Sequence, residues 1–120
     1  HLPEDLDNLD KLQKFLARNN RLAELPAALF SLRDLVYLDL SHNQLPGLSP
    51  ALGGLSLLVE LILDDNALVA LPPSLGDLRK LSRLSAGKNQ LSCLPDSIGE
   101  LRQLQVLDVS ENRLTSLPPS

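Results

Sequence analysis

The chain has 120 residues and a formal net charge of −4, so it holds no general attraction for polyanions such as nucleic acid. Two Phe, one Tyr and no Trp leave almost no aromatic surface on which bases could stack. A single cysteine, Cys93, excludes an internal disulfide, and the most apolar stretch, 55–63, is broken by Ser56 and Glu60 and is too short to span a bilayer.

In chain order, residues 1–11 place Leu2, Pro3, Leu6 and Leu9 where the later units place the second half of a repeat. From Leu12 onward the same pattern returns at a fixed step of 23 residues, with unit starts at Leu12, Leu35, Leu58, Leu81 and Leu104. A period in this range is the mark of a solenoid, in which each unit buries its apolar face only against its neighbours. The units are therefore a partial repeat at 1–11, repeats at 12–34, 35–57, 58–80 and 81–103, and a partial repeat at 104–120. Together they form one segment, expected to belong to a longer array. Open ends of such a stack expose leucines, so self-association through uncapped ends is a further expectation.

Within each unit, the third to seventh positions alternate in the manner of a short strand. In Tyr37-Leu38-Asp39-Leu40-Ser41, Leu38 and Leu40 point inward and the other three outward. Stacked strands make a parallel sheet, and five of them at about 4.8 Å spacing give a concave ribbon about 19 Å wide. Asn20, Asn43, Asn66, Asn89 and Asn112 fall where the chain leaves the strand. An amide there can satisfy turn and neighbour backbone groups that are otherwise buried unpaired.

The return segment opens with Leu25-Pro26, Leu71-Pro72, Leu94-Pro95 and Leu117-Pro118, where proline suits the first position of a short helix or 3₁₀ turn. Leu29, Leu52, Leu75 and Ile98, each followed three residues later by leucine, form its buried stripe. Gly53, Gly76 and Gly99 disfavour regular α-helix, so short turns are expected on the convex side. In the second repeat Ser49 replaces the proline, which predicts a local difference in that turn. Ala17 and Ala86 occupy positions where the pattern has leucine, so the core is smaller there or filled by neighbours.

The pattern L-x-x-L-x-L-x-x-N-x-L-x-x-L-P, clearest in Leu104 to Pro118 with Val109 at one leucine position, resembles the leucine-rich repeat family over all 120 residues. That resemblance implies an α/β leucine-rich repeat solenoid, with a curved parallel sheet inside and short helical or 3₁₀ turns outside. The L-P-x-x-L-x-x-L second halves look like the cytosolic Ras-interacting and scribble-type members, which implies a protein-interaction scaffold in signalling and a cytoplasmic location. The absence of cysteine caps and of N-x-S/T sequons agrees. Two alternatives are an extracellular or immune-receptor ligand-binding segment, and the regulatory repeats of a kinase or ubiquitin ligase whose catalytic domain lies outside this chain.

No nucleophile-and-base pair, phosphate loop or metal-ligand set is present, so no enzyme activity, metal or other cofactor is expected. His42, the only internal histidine, lies one strand from Asp65, where a salt bridge is the ordinary outcome. What the leucine frame leaves free is the outward set on the concave face: Lys14, Leu16, Arg18, Tyr37, Asp39, His42, Glu60, Ile62, Asp64, Asp65, Arg83 and Lys88. Tyr37, Leu16, Ile62 and Val106 stand among charges with no core to enter, a composition that suits a protein partner. The competing expectation is that Glu60 with Arg83, and Asp65 with Lys88 and Glu111, pair across the sheet.

Overall fold

The computed structural model describes residues 14–16, 18, 25 and 27–113. Among these residues, five three-residue strands alternate with four five-residue 3₁₀ turns. The strands are β1 (Lys14–Leu16), β2 (Tyr37–Asp39), β3 (Glu60–Ile62), β4 (Arg83–Ser85) and β5 (Val106–Asp108). Between them run the turns Ala27–Ser31, Pro50–Gly54, Pro73–Asp77 and Asp96–Glu100. The sheet is wholly parallel in the order β1-β2-β3-β4-β5, and each residue pairs with the one 23 further on, as Lys14 with Tyr37 and Tyr37 with Glu60. Successive units thus stack without slip, which is the solenoid that the periodicity implies and the architecture that the leucine-rich repeat resemblance implies.

Strands of three residues are shorter than the five that alternation suggests. Backbone pairing nevertheless continues beyond them: Leu40 N donates to Ile62 O at 2.8 Å and His42 N to Asp64 O at 2.9 Å. In the second to fifth units the eighth position then turns left-handed, with φ of 59° at His42, 56° at Asp65, 55° at Lys88 and 55° at Glu111. None of these is glycine, so each carries the steric cost of that region, about 1–2 kcal/mol.

The core is the leucine frame. Leu38, Leu40, Leu61, Leu63 and Leu84 from the strand side meet Leu29, Leu52, Leu75, Leu32, Leu55 and Leu78 from the turns, all buried. Phe15 packs partly buried against the same cluster. Ala86 is fully buried at a leucine position; Ala17 lies outside the described residues.

Proline sits one position earlier than expected: Pro72 and Pro95 are N-caps, ahead of the first 3₁₀ residue. In the second repeat the turn keeps the same length, and the difference is confined to its cap, where Ser49 Oγ accepts from Ala51 N at 3.1 Å. Gly53 and Gly76 are there for space. A Cβ on Gly53 would stand 2.9 Å from both Ser74 Cβ and Ser74 O, and one on Gly76 would stand 2.7 Å from Ser97 Cβ and 2.8 Å from Ser97 O. The same serines tie the turns together, Ser74 Oγ donating to Pro50 O at 2.7 Å and Ser97 Oγ to Pro73 O at 2.6 Å.

Candidate functional site

The concave ribbon rests on a ladder of asparagines. Asn66 Nδ2 donates to Leu63 O at 3.0 Å and Asp64 O at 3.3 Å in its own unit, and to Leu40 O at 3.0 Å in the unit before. Asn89 repeats this with Ala86 O, Gly87 O and Leu63 O, each at 3.0 Å, and Asn112 with Val109 O, Ser110 O and Ala86 O. The carbonyl side faces the preceding unit: Asn89 Oδ1 accepts from Asn66 N and Leu68 N, both at 3.1 Å. Asn43 and Asn89 are buried and Asn66 and Asn112 half-buried; Asn20 lies outside the described residues.

This ladder decides where the acidic side chains go. By claiming the sixth-position carbonyls Leu40 O, Leu63 O and Ala86 O, the amides leave the seventh-position N–H groups in need of other acceptors. Asp39 Oδ1 takes Ser41 N at 3.0 Å and Ser41 Oγ at 2.7 Å. Asp108 Oδ1 takes Ser110 N at 3.0 Å. In the fourth repeat Asp64 reaches across from the third, its Oδ1 accepting Gly87 N at 3.1 Å and Ser85 Oγ at 2.6 Å. The third repeat has Ile62 where an aspartate would serve, and Asp64 N–H has no acceptor among the described residues.

Asp39 is accordingly not a free surface carboxylate. Its exposure is 5 %, and Arg18 Nε approaches its Oδ2 at 3.6 Å. Ser41 and Ser85, also outward by alternation, are buried by the same hydrogen bonds. The sequence signal for these anchors was the Asp-x-Ser spacing of Asp39 with Ser41 and Asp108 with Ser110, an Asx-turn signature.

The remaining candidate residues do face the ribbon. Lys14, Leu16, Arg18, His42, Asp65, Arg83 and Lys88 are exposed, while Tyr37, Glu60, Ile62 and Asp64 are half-buried. Of the charge pairs expected across the sheet, neither Glu60 with Arg83 nor Asp65 with Lys88 stands at ion-pair distance among the described residues. Asp65 instead lies 2.8 Å from His42 Nδ1. Arg83 acts on Asp108: the Ser110 backbone N–H and hydroxyl lower the Asp108 carboxyl below its ordinary value, and the Arg83 charge adds to that. Equivalent positions thus pair in charge at His42 and Asp65 but not at Glu60 and Arg83, because side chains lean along the strand as well as across it.

Among the described residues no group of three or more His, Cys, Asp or Glu side chains converges as a metal site requires, and no helix is long and apolar enough to cross a membrane. Away from the ribbon, a cleft beside the turn Asp96–Glu100 is lined by Arg79, Glu100, Arg102 and Gln103, with Arg79 and Glu100 3.5 Å apart.

A parallel ribbon on an asparagine ladder, backed by 3₁₀ turns, defines a solenoid repeat protein. The chain belongs to the leucine-rich repeat family, whose sequence profile matches residues 10–68 and 56–114. Among solved structures it is similar to a leucine-rich repeat protein of Leptospira interrogans, at 36% identity and a TM-score of 0.93, covering 97% of this chain and 30% of that one. It is also similar to the plant peptide hormone receptor RGFR1 in complex with RGF2, at 29% identity and a TM-score of 0.84, covering 94% of this chain and 19% of that one. A third similar structure is the leucine-rich repeat ectodomain of the receptor kinase SOBIR1 from Arabidopsis thaliana, at 30% identity and a TM-score of 0.83, covering 99% of this chain and 66% of that one. The chain therefore spans less than a third of the first two proteins. Comparison with curated proteins returns no match. Family and fold together suggest a protein-interaction module, of the typically non-catalytic kind.

Proposed function

We propose that the chain binds a protein partner on its concave ribbon, as part of a cytosolic signalling scaffold of the Ras-interacting or scribble type. The observation that carries this reading is the apolar surface left on the ribbon after the core is complete. Leu16 is 62% exposed and Val106 48%, at the two edges, with Tyr37 and Ile62 half-buried between them. Apolar side chains set among charges are the usual anatomy of an interface centre and its rim. The lone, exposed Cys93 suits a reducing compartment.

Similarity to a plant receptor in complex with its hormone supports a second reading, a peptide-binding receptor segment. The two readings share the ribbon and differ in compartment, which fractionation of the full-length protein decides. For the ribbon, a partner recovered with the full-length protein is titrated against variants. Tyr37→Ala is expected to weaken it by more than about 1 kcal/mol, as hot-spot truncations do, whereas Arg79→Ala away from the ribbon is expected to change little. Binding that survives Tyr37→Ala combined with Ile62→Ala, but is lost with Arg79→Ala, overturns the assignment.

A further inference from the structure

We propose that the part of the ribbon between β2 and β3 receives an arginine side chain carried on an extended segment of the partner. The proposal rests on the concave-face reading and adds to it the chemistry of the ligand.

Each acidic group in this region can be followed to its counterpart, and one is left over. Asp39 is held by Ser41 and faces Arg18, Asp65 faces His42, and Asp64 spends Oδ1 on Ser85 and Gly87. Glu60 is half-buried, and its carboxylate has no ion-pair or hydrogen-bond partner among the described residues. Its neighbour in register on β4 is Arg83, which does not reach it, and its neighbour on β2 is Tyr37. Two side chains along β3 from Glu60 stands Ile62, which registers with Asp39. The surface offered is an unpaired carboxylate, one half-buried aromatic ring and one aliphatic side chain, with the excess charge of the third unit negative through Glu60, Asp64 and Asp65.

A guanidinium answers all three features at once. It is planar and weakly hydrated, so it can lie against Tyr37 while its N–H fork meets the Glu60 carboxylate, and its methylene stem covers Ile62. An ammonium is a compact, strongly hydrated charge and meets the carboxylate alone. Arg18 and Arg83 flank the slot and repel a second cation, so one arginine is accommodated rather than a basic run. The unpaired Asp64 N–H adds a main-chain anchor. Where Asp39 and Asp108 place their own oxygens on the equivalent N–H, this unit leaves it to an oxygen from outside. The negative side chains nearby select a neutral carbonyl there over a carboxylate.

Amide-resolved NMR titration of the chain with N-acetyl-arginine amide tests this, against the neutral isostere N-acetyl-citrulline amide and the apolar N-acetyl-norleucine amide. Arginine amide is expected to shift the amides of Tyr37, Glu60, Ile62 and Asp64, weakly and with a strong dependence on salt. Glu60→Gln is expected to weaken it by about tenfold, the scale of one charge-assisted hydrogen bond. Tyr37→Leu, which keeps apolar bulk and loses the ring, is expected to weaken arginine more than norleucine. Equal response to arginine and citrulline, shifts confined to other units, no response to arginine at all, or indifference to Glu60→Gln overturns the arginine site. Norleucine shifts at Tyr37 and Ile62 without arginine shifts overturn the arginine site while leaving the concave-face reading intact, and the Arg79 comparison above tests that reading separately.

Discussion

Single residues carry the ladder, and their removal exposes what they satisfy. Asn66→Ala takes away a donor that three carbonyls use and an acceptor that Leu45 N uses at 3.1 Å. Unpaired buried groups of this kind cost about 1–3 kcal/mol, so a clear fall in melting temperature is expected in thermal denaturation. The left-handed eighth position sets a different constraint. Lys88 has φ of 55°, and a β-branched side chain tolerates that region worst. Lys88→Val is expected to destabilise by about 1–2 kcal/mol, and Lys88→Asn to be neutral or better in the same chemical-denaturation experiment.

Asp108 supplies a pH signature. Its folded carboxyl sits below the unfolded value because the Ser110 N–H and hydroxyl stabilise the charged form, with Arg83 adding to them. A depressed carboxyl contributes stability that is present above the unfolded pKa, about 3.9, and is lost as pH falls through the lower folded one. Asp108→Asn is therefore expected to flatten the acid limb of the stability curve relative to wild type, by a small amount because the group is exposed. An unchanged acid limb in the variant would show that the Ser110 contacts do not bias its titration.

At the scale of elements, adjacent 3₁₀ turns approach as closely as they do because glycine faces serine. Gly76→Ala would place a methyl 2.8 Å from Ser97 O, a backbone atom that moves only if the whole turn moves. A loss of about 1–3 kcal/mol is expected, as for overpacked cores. Replacing Ser97 with glycine as well should recover only part of it, since Ser97 O remains; full recovery in the double variant would place the clash on the side chain alone. The architecture around these contacts was legible in the sequence, because a 23-residue step in leucine leaves few other ways to bury the frame. The five-residue strand was not, since alternation reports which face a side chain takes and is blind to the asparagine amides that take Leu40 O and Leu63 O out of the strand pairing. Asp39 was misplaced for a related reason: its direction was right, and its burial came from Ser41 and Arg18, which periodicity does not bring together. The ribbon's apolar members, by contrast, could be read off as residues for which the frame has no use.

Over the whole molecule, coupling between units runs through contacts that always point to the unit before or after. In a solenoid, stability is a sum of unit and interface contributions, so damage should spread by nearest neighbours rather than uniformly. Asn89 is a good place to test this. Its side chain belongs to the fourth unit, yet it accepts from Asn66 N and Leu68 N and donates to Leu63 O, all in the third. Asn89→Ala therefore releases two N–H groups outside its own unit. In hydrogen exchange, the amides of Asn66 and Leu68 are expected to lose protection along with those of the fourth unit. Leu52 N and Leu55 N in the second-unit turn, bonded to Ser49 O and Leu52 O, are expected to lose much less. Equal loss across all units would mean that the stack opens as one body and that the asparagine ladder does not set the boundaries of local opening.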